Sequence, residues 1–493
     1  MNYCDFLFNT DERFLDNEVI VDAENDNRLS YRELKEAVLK VAVLLKTRGV
    51  TSGTVVSSHL YNSAEAAIVL LAVQYIGGVI CLIDPLFKAD ELKYYINDSG
   101  SKCLITHLDR SIVKNLVDTE IEVFEVKEIE EAYKSDVEYS LIDMHKFQQD
   151  EMAMLLYTSG STSTPKAVML SNNCYYTFLE KCNKSMYTYT IEDRLICFVP
   201  FSHAYGSVSL LIPVLSHKAA IVFMRSFHPT KVAEIISKEN ITHIFGVPTH
   251  YQQLLRYDSI MKYLRKLKAA FCAAAPLTYD TASSWYENVG IYLDEGYGLT
   301  EATTLIATRM SMLPQPSGNV GFPPEGILEI EVVDENDSVV DDGIIGELTV
   351  KGKGLMIGYL KRPEETSERI KNGKLYTGDF GYKRSDGSYV ISGRKTEFIN
   401  VAGLKISPIE IEAALNSHSD IIDSAAVGVE DSLYGEVVSA FVVTKEGSKV
   451  SERELIKYLS TKLANFKLPK QVTFLDVLPR NNIGKIDKKA LRK

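Results

Sequence analysis

Apolar positions recur along the first hundred residues with two alternating periods. VIVDA at 19–23 reads as a strand. Ser30-Tyr31-Arg32-Glu33 has capping-box spacing, in which the serine hydroxyl meets the Glu33 N–H and Glu33 reaches back. The next residues set Leu34, Val38, Val41, Leu44 and Leu45 on one stripe, as a core-facing helix requires. VVSSHL (55–60) is a predicted strand and SAEAAIVLLAVQYIG (63–77) a buried helix. VICLID (79–84) is a strand, ADELKYYINDSG (89–100) a helix closed by Gly100, and KCLITH (102–107) a strand. This rhythm predicts a parallel sheet covered by helices on both faces. A polar stretch near 125–148 interrupts it.

The pattern changes after residue 318. GILEIEVVD (326–334), IGELTVKG (345–352) and SYVISG (388–393) predict a smaller β-rich subdomain. The polar segment SGRKTEFINVAG (392–403) comes next. Beyond it come a predicted helix near Pro408, the strands AAVGVE (425–430) and VVSAFVVT (437–444), the helix SERELIKYLSTKL (451–463) and a Lys-rich tail. The expected fold class is therefore α/β: a large N-terminal domain of parallel α/β subdomains plus a β-rich subdomain, then a small α+β domain. The boundaries fall at 1–393, 394–397 and 398–493. With no repeat and no low-complexity linker, the middle segment reads as a hinge rather than a tether.

A chain of 493 residues exceeds one ordinary core, in agreement with several folding units. Apolar residues make up 45% and charged residues 24%, which excludes a disordered chain. The formal charge of -12 excludes a generic nucleic-acid or anionic-membrane binder, though a local basic cleft can hold a small phosphate ligand. The seven cysteines, Cys4, Cys81, Cys103, Cys174, Cys182, Cys197 and Cys272, are scattered without a CxxC. They are expected to be buried reduced thiols. The acidic N-terminus does not read as a signal peptide, and no apolar run reaches the ~18–20 residues of a membrane span. The expected location is cytoplasmic.

The densest chemical signal is MAMLLYTSGSTSTPKAVMLS (152–171), an apolar strand entering a hydroxyl-rich loop with one glycine and one lysine. Backbone N–H groups and the hydroxyls of Thr158, Ser159, Ser161, Thr162 and Thr164 suit an anion, and Lys166 adds a compact charge that can follow a moving phosphate. The loop lacks the second glycine and helix start of GxxxxGK[ST]. Five further segments occur in order: DEGYGLTEAT (294–303), GELTVKGKGLMIGYL (346–360), LYTGDFGYKRSDGSYVISGR (375–394), NVAGLKISPIEIE (400–412) and LPRNNIGKIDKKALR (478–492). Together the six segments resemble the adenylate-forming superfamily: acyl-CoA synthetases, adenylation domains of peptide synthetases, and luciferases. The loop pattern there is YTSGSTGxPKG; this chain carries Ser163 and Ala167 at two of its glycines.

The resemblance implies ATP, Mg²⁺ and coenzyme A as ligands, and a role for each matching residue. Thr158, Ser159, Gly160, Ser161, Thr162 and Lys166 would cradle the β- and γ-phosphates, and Thr300 would bond the α-phosphate. Glu301 would coordinate Mg²⁺. Tyr297 and Gly298 would face adenine, with Ala274, Ala275 and Pro276 opposite. Asp379 and Arg394 would hold the ribose. Lys485 would be the catalytic lysine bridging carboxylate and α-phosphate, while Lys488 and Lys489 read as solvated tail lysines. The implied C-terminal domain is mobile, pivoting at Thr396, with Gly403 letting the backbone approach a pantetheine arm. Asn400 stands where the family often has lysine.

FVPFSHAYGSVSLLIPVL (198–215) is expected to wall the acid pocket. His203 would sit between the carboxylate and thiol channels. Tyr205, Ser209, Val247, Ala273 and Gly298 are further lining candidates, small or apolar for the most part. Relatives that activate α-amino acids carry aspartate where this chain has Ala204, and an unpaired buried ammonium is costly, so an α-amino acid is disfavoured. Three readings of function are open: an acid–CoA ligase acting on an aliphatic or aryl acid, an enzyme loading a carrier-protein thiol in trans, and a nucleotide-binding protein without catalysis.

Overall fold

The computed structural model describes residues 2–114, 121–136, 138–139, 142–158, 164–401, 404–431, 433–480 and 485–492. Four sheets organise them. The first has seven strands in the order Gly358–Tyr359, Lys166–Ser171, Met152–Thr158, Val79–Leu82, Val55–His59, Cys103–Thr106 and Glu122–Glu125. The five from Met152–Thr158 onward run parallel. The second has eight strands, with six parallel neighbours from Leu293–Tyr297 through Ala269–Ala273, His243–Gly246, Arg194–Cys197 and Ala220–Phe223 to Glu18–Asp22. The two sheets carry the expected α/β architecture.

The helix Ala64–Tyr75 is buried along its whole length, which explains its unbroken apolar sequence. Its two long polar side chains are anchored: the Gln74 amide N–H donates to the Ala153 carbonyl at 2.6 Å, and Glu65 accepts from the Tyr133 hydroxyl at 3.0 Å. The helix Tyr31–Thr47 starts at the expected capping box on Ser30, and Ala89–Ser99 ends at Gly100 in the left-handed region. Tyr133 belongs to a helix, Val126–Lys134, inside the polar stretch near 125–148. Val126, Ile129, Ala132 and Tyr133 share its core-facing side at helical spacing, a period that the polar reading of this stretch passed over. The helix predicted over 451–463 stops at Leu459, where the Ser460 and Thr461 hydroxyls turn back to the Lys457 and Tyr458 carbonyls.

The third sheet is antiparallel and holds Asn319–Gly321, Tyr389–Arg394, Lys374–Lys383, Gly346–Gly352 and Leu328–Val333, with Ile370–Lys371 on its side. The fourth lies wholly after residue 398: Leu404–Ile406, Ile399–Val401, Gly435–Thr444 and Ile421–Asp431, with Gln471–Phe474 parallel to one of them. It has its own apolar core around Ile411, Leu415, Val442 and Leu455. All seven cysteines are buried free thiols. Among the described residues no helix is long and apolar enough to cross a membrane.

Two features of the second sheet shape the loops at its end. Glu295 and Arg309 pair at 2.6 Å with side chains 3% exposed, and Glu295 also accepts the Leu277 N–H at 3.1 Å. Burial raises the Glu295 carboxyl, and Arg309 opposes that rise. Just past the strand Leu293–Tyr297, a Cβ on Gly298 would lie 1.1 Å from the Thr304 carbonyl oxygen, so only glycine fits. Arg309→Met is expected to cost about 3–5 kcal/mol by stranding a buried carboxylate; urea unfolding checks this, and adding Glu295→Leu should recover most of it. Gly298→Ala is expected to lose at least the ~1–3 kcal/mol of ordinary overpacking in the same assay.

Candidate active site

The candidate residues collect at the carboxyl ends of parallel strands, where open α/β sheets place their ligands. Thr158 ends Met152–Thr158, Ala273 ends Ala269–Ala273 and Tyr297 ends Leu293–Tyr297. Val247 comes directly after His243–Gly246, and His203 lies in the segment after Arg194–Cys197. The first two sheets thus deliver loops to one cleft.

Lys166 opens the strand after the hydroxyl-rich loop and pairs in register with Thr158. The Tyr94 hydroxyl donates to the Pro165 carbonyl at 2.7 Å and fixes the loop's end. Ala167 lies in regular strand opposite Tyr157, buried, so its Cβ replaces a family glycine without backbone strain. Ser159, Gly160, Ser161, Thr162 and Ser163 lie outside the described residues, as does Gly403. The Lys166 ammonium pairs with Glu365 and stands 5.5 Å from the centre of the Tyr359 ring.

Tyr359 connects this lysine to the next motif. Its hydroxyl donates to Oε1 of Glu301 at 2.7 Å. Glu301 lies in the 3₁₀ turn Thr300–Ala302, and its carbonyl accepts the Met356 N–H at 2.8 Å. Gly358–Tyr359 pairs with the strand carrying Lys166, which places Tyr359 between the two motifs. Neither Tyr359 nor Glu365 stands out in the sequence, though Tyr359 falls inside the recognised glycine-containing segment. Among the described residues no cluster of three metal-ligating side chains occurs. A lone buried carboxylate still fits Mg²⁺, which takes one or two protein carboxylates and completes its shell with phosphate oxygens and water.

Asp379 and Arg394 face each other across neighbouring antiparallel strands. The Tyr297 hydroxyl donates to one Asp379 oxygen at 2.6 Å and Arg394 Nε to the other at 3.1 Å. Asp379 thereby ties the candidate adenine side to the candidate ribose side. Burial pushes the Tyr297 phenol well up, and the Asp379 charge adds to this. The Ala274–Pro276 turn sits across from Tyr297; Ala274 occupies the left-handed region at φ 71°, and the Leu277 N–H behind it is held by Glu295.

Lys485 reaches this cluster from the far end of the chain. Desolvation and then Arg394 lower its pKa to about 8, against the opposing pull of Asp379, Glu397 and Glu301. His203 feels the same lysine: burial lowers its pKa, Asp84 opposes this, and Lys485 adds to it. Its Nε2 is buried without a hydrogen-bond partner. Burial thus favours the neutral imidazole. Asp84, just past Val79–Leu82, was not evident in the sequence because only the fold brings it near His203.

The pocket candidates also converge. The Tyr205 hydroxyl donates to the Gly246 and Phe271 carbonyls at 3.2 and 3.3 Å, next to Val247 and Ala273. Ser209 donates to the Thr304 hydroxyl at 3.1 Å, beside Gly298. Thr396 lies exposed in the turn at 395–397, between the third and fourth sheets. Lys488 corrects the sequence reading: it is not a solvated tail lysine but pairs with Glu412 at 2.7 Å and Glu397 at 3.6 Å. The helix Pro408–Asn416 presents Glu412 inward, and a buried carboxylate there demands a cation. Lys489 is exposed as expected.

The chain matches the AMP-binding enzyme family over residues 7–360 and the AMP-binding enzyme C-terminal domain over 410–485. It is 30% identical to 4-coumarate–CoA ligase 1 of Solanum tuberosum, covering 100% of this chain and 93% of that protein. It is 29% identical to a long-chain-fatty-acid–CoA ligase of Bacillus subtilis, over 94% of this chain and 90% of that one. ATP-bound MatB from Rhodopseudomonas palustris superposes with TM-score 0.91 at 28% identity, covering 100% and 98% of the two chains. The apo form of that protein gives 0.82 at the same identity and coverage. With both family segments matched in order and the cleft residues assembled as described, the chain belongs to the AMP-binding enzyme family and is an enzyme of its acyl-CoA synthetase type.

Proposed function

We propose that the protein is an ATP-dependent acid–CoA ligase acting on an aliphatic or aryl carboxylic acid. The observation that carries this reading is the placement of a half-buried Lys485 in the field of Arg394, Asp379, Glu397 and Glu301, close enough to act on His203. A carboxylate and a triphosphate repel each other. A desolvated ammonium between them offsets that repulsion most where charge accumulates, in the transition state. The higher similarity to the ATP-bound than to the apo form of MatB supports the same arrangement of the two parts.

The chemistry then runs in two steps. A carboxylate oxygen of the acid attacks the α-phosphorus and pyrophosphate leaves, giving acyl-AMP. The thiol of coenzyme A next attacks the acyl carbonyl and AMP leaves. In the first step Lys166 exchanges Glu365 for the outgoing phosphates, while Thr300 bonds the α-phosphate. Glu301 would hold Mg²⁺, which supplies charge neutralisation of the phosphates when bound. Tyr297, Asp379 and Arg394 orient the nucleoside. His203, neutral and with a bare Nε2, closes the acid pocket, and Tyr205, Ser209, Val247, Ala273 and Gly298 line it. Ala204 is buried where a carboxylate would meet an α-ammonium, so the acid carries none.

For the second step the thiol must reach a carbonyl that Lys485 covers. We infer that residues 398–493 rotate about the turn at Thr396, bringing the segment at Gly403 to the acyl-AMP. Thr396 is exposed and its turn is closed by two backbone hydrogen bonds to the Arg394 carbonyl, from Glu397 and Phe398, at 2.9 and 3.2 Å. So short a joint changes direction without disturbing either core.

Lys485→Ala is expected to slow acyl-AMP formation by ~10²–10³-fold in ATP–pyrophosphate exchange; wild-type exchange would remove Lys485 from the role. The ammonium is the active form, so kcat/KM for ATP should fall as pH rises through about 8 in the free enzyme. That limb should be lost in Lys485→Ala. A panel of short, long and aromatic acids with ATP, Mg²⁺ and CoA should release pyrophosphate and yield a CoA thioester by mass spectrometry. Pyrophosphate without thioester would direct the acyl group to a carrier-protein thiol, and no release with any acid would refute the ligase.

A further inference from the structure

The two-step chemistry leaves one buried cation without a task. Lys181 lies on the helix Asn173–Ser185 and is among the largest side chains with no exposure at all. A lysine is rarely buried without a carboxylate partner. This one donates to the Ala302 carbonyl at 2.7 Å, the last residue of the turn Thr300–Ala302. The backbone at Gly354 closes over the amine: a Cβ there would stand 3.4 Å from Nζ and 2.9 Å from the Thr177 methyl.

The turn it touches is costly to hold. Thr303 and Thr304 both sit in the left-handed region, at φ 49° and 66°, where neither side chain is favoured. Such a conformation persists only when its surroundings over-determine it. Three other tethers are visible. The Thr303 hydroxyl donates to the Gly354 carbonyl at 2.8 Å, the Met356 N–H donates to the Glu301 carbonyl at 2.8 Å, and Ser209 donates to the Thr304 hydroxyl at 3.1 Å. Lys181 is the only one of the four that brings a charge, and it acts on the carbonyl directly after Glu301.

We propose that Lys181 is a positioning residue: its ammonium, locked on the Ala302 carbonyl, sets the backbone of Thr300–Glu301 so that the Glu301 carboxylate faces the metal–triphosphate. It touches neither nucleotide nor acid, and it rests on the reading of Glu301 as the Mg²⁺ ligand. A methionine of similar length would leave the Ala302 carbonyl unpaired and free the turn to relax from its left-handed residues.

The test is Lys181→Met in the full-length protein, with ATP binding measured calorimetrically across a Mg²⁺ titration and ATP–pyrophosphate exchange run beside it. The expected result is a rise of about tenfold in the Mg²⁺ concentration giving half-maximal ATP binding, with the metal-free ATP affinity within twofold of wild type. Exchange should suffer in KM for Mg–ATP more than in kcat, and Lys181→Arg, which keeps a cationic donor, should recover most of the Mg²⁺ response. An unchanged Mg²⁺ midpoint in Lys181→Met, or equal losses with and without Mg²⁺, would overturn the proposal. If Lys181→Met does not fold, Lys181→Gln is read by the same two outcomes. A wild-type protein whose ATP binding ignores Mg²⁺ and Glu301→Gln would instead refute the role of Glu301 itself.

Discussion

The site is governed by the buried carboxylates Asp379 and Glu301 and by the partly buried cations and hydroxyls that answer them and one another. Asp379 is met by Tyr297 and Arg394, Glu301 by Tyr359, Lys166 by Glu365, and Lys485 by the mixed field of Arg394, Asp379 and Glu301. Each contact costs desolvation and is recovered only with good geometry. On the proposed reading, a triphosphate entering here would find cations already oriented, with the carboxylates beside them keeping those cations charged until it arrives. This is preorganisation in the sense that matters for rate: the protein's dipoles and charges are set during folding rather than during the reaction.

That ordering depends on parts far from the chemistry. Glu295, in the strand that ends in Tyr297, pairs with Arg309 on the neighbouring antiparallel strand, and Glu295 also restrains the turn after Ala274. Gly298 lets the chain pass flush against the Thr304 carbonyl. The segment from Gly354 to Tyr359 lies along both the Thr300–Glu301 turn and the Lys166 strand. The ends of two sheets and one edge segment therefore share a few tightly fitted backbone contacts.

Much of the architecture was legible in the sequence. Most strands and helices of the first hundred residues announce themselves by period and by the caps at Ser30 and Gly100, though not the helix Asp5–Phe8 or the strand Asn27–Ser30, and the strand-rich sequence after 318 announces a β-rich subdomain. The helix Val126–Lys134 was passed over, because the charges between Val126, Ile129, Ala132 and Tyr133 made the stretch read as polar although those four keep a helical period. Of the candidate site, the residues within recognisable motifs could be named in advance, and the structure brings Tyr297, Asp379, Arg394 and Lys485 together. Asp84, Glu365 and Lys181 could not be named. Their significance comes from the groups that lie across from them in space, and nothing in their neighbours along the chain signals it. Lys488 carried a misleading signal, because a basic tail reads as solvated until Glu412 and Glu397 are seen to face it.

That last pair has a mechanical meaning. Lys488 is fastened on one side to a helix of the small domain and on the other to Glu397, at the edge of the joint itself. On the proposed rotation about Thr396, this pairing ties the Lys485 end of the chain to the turning body, so that the swing of the small domain itself would withdraw or insert the ammonium.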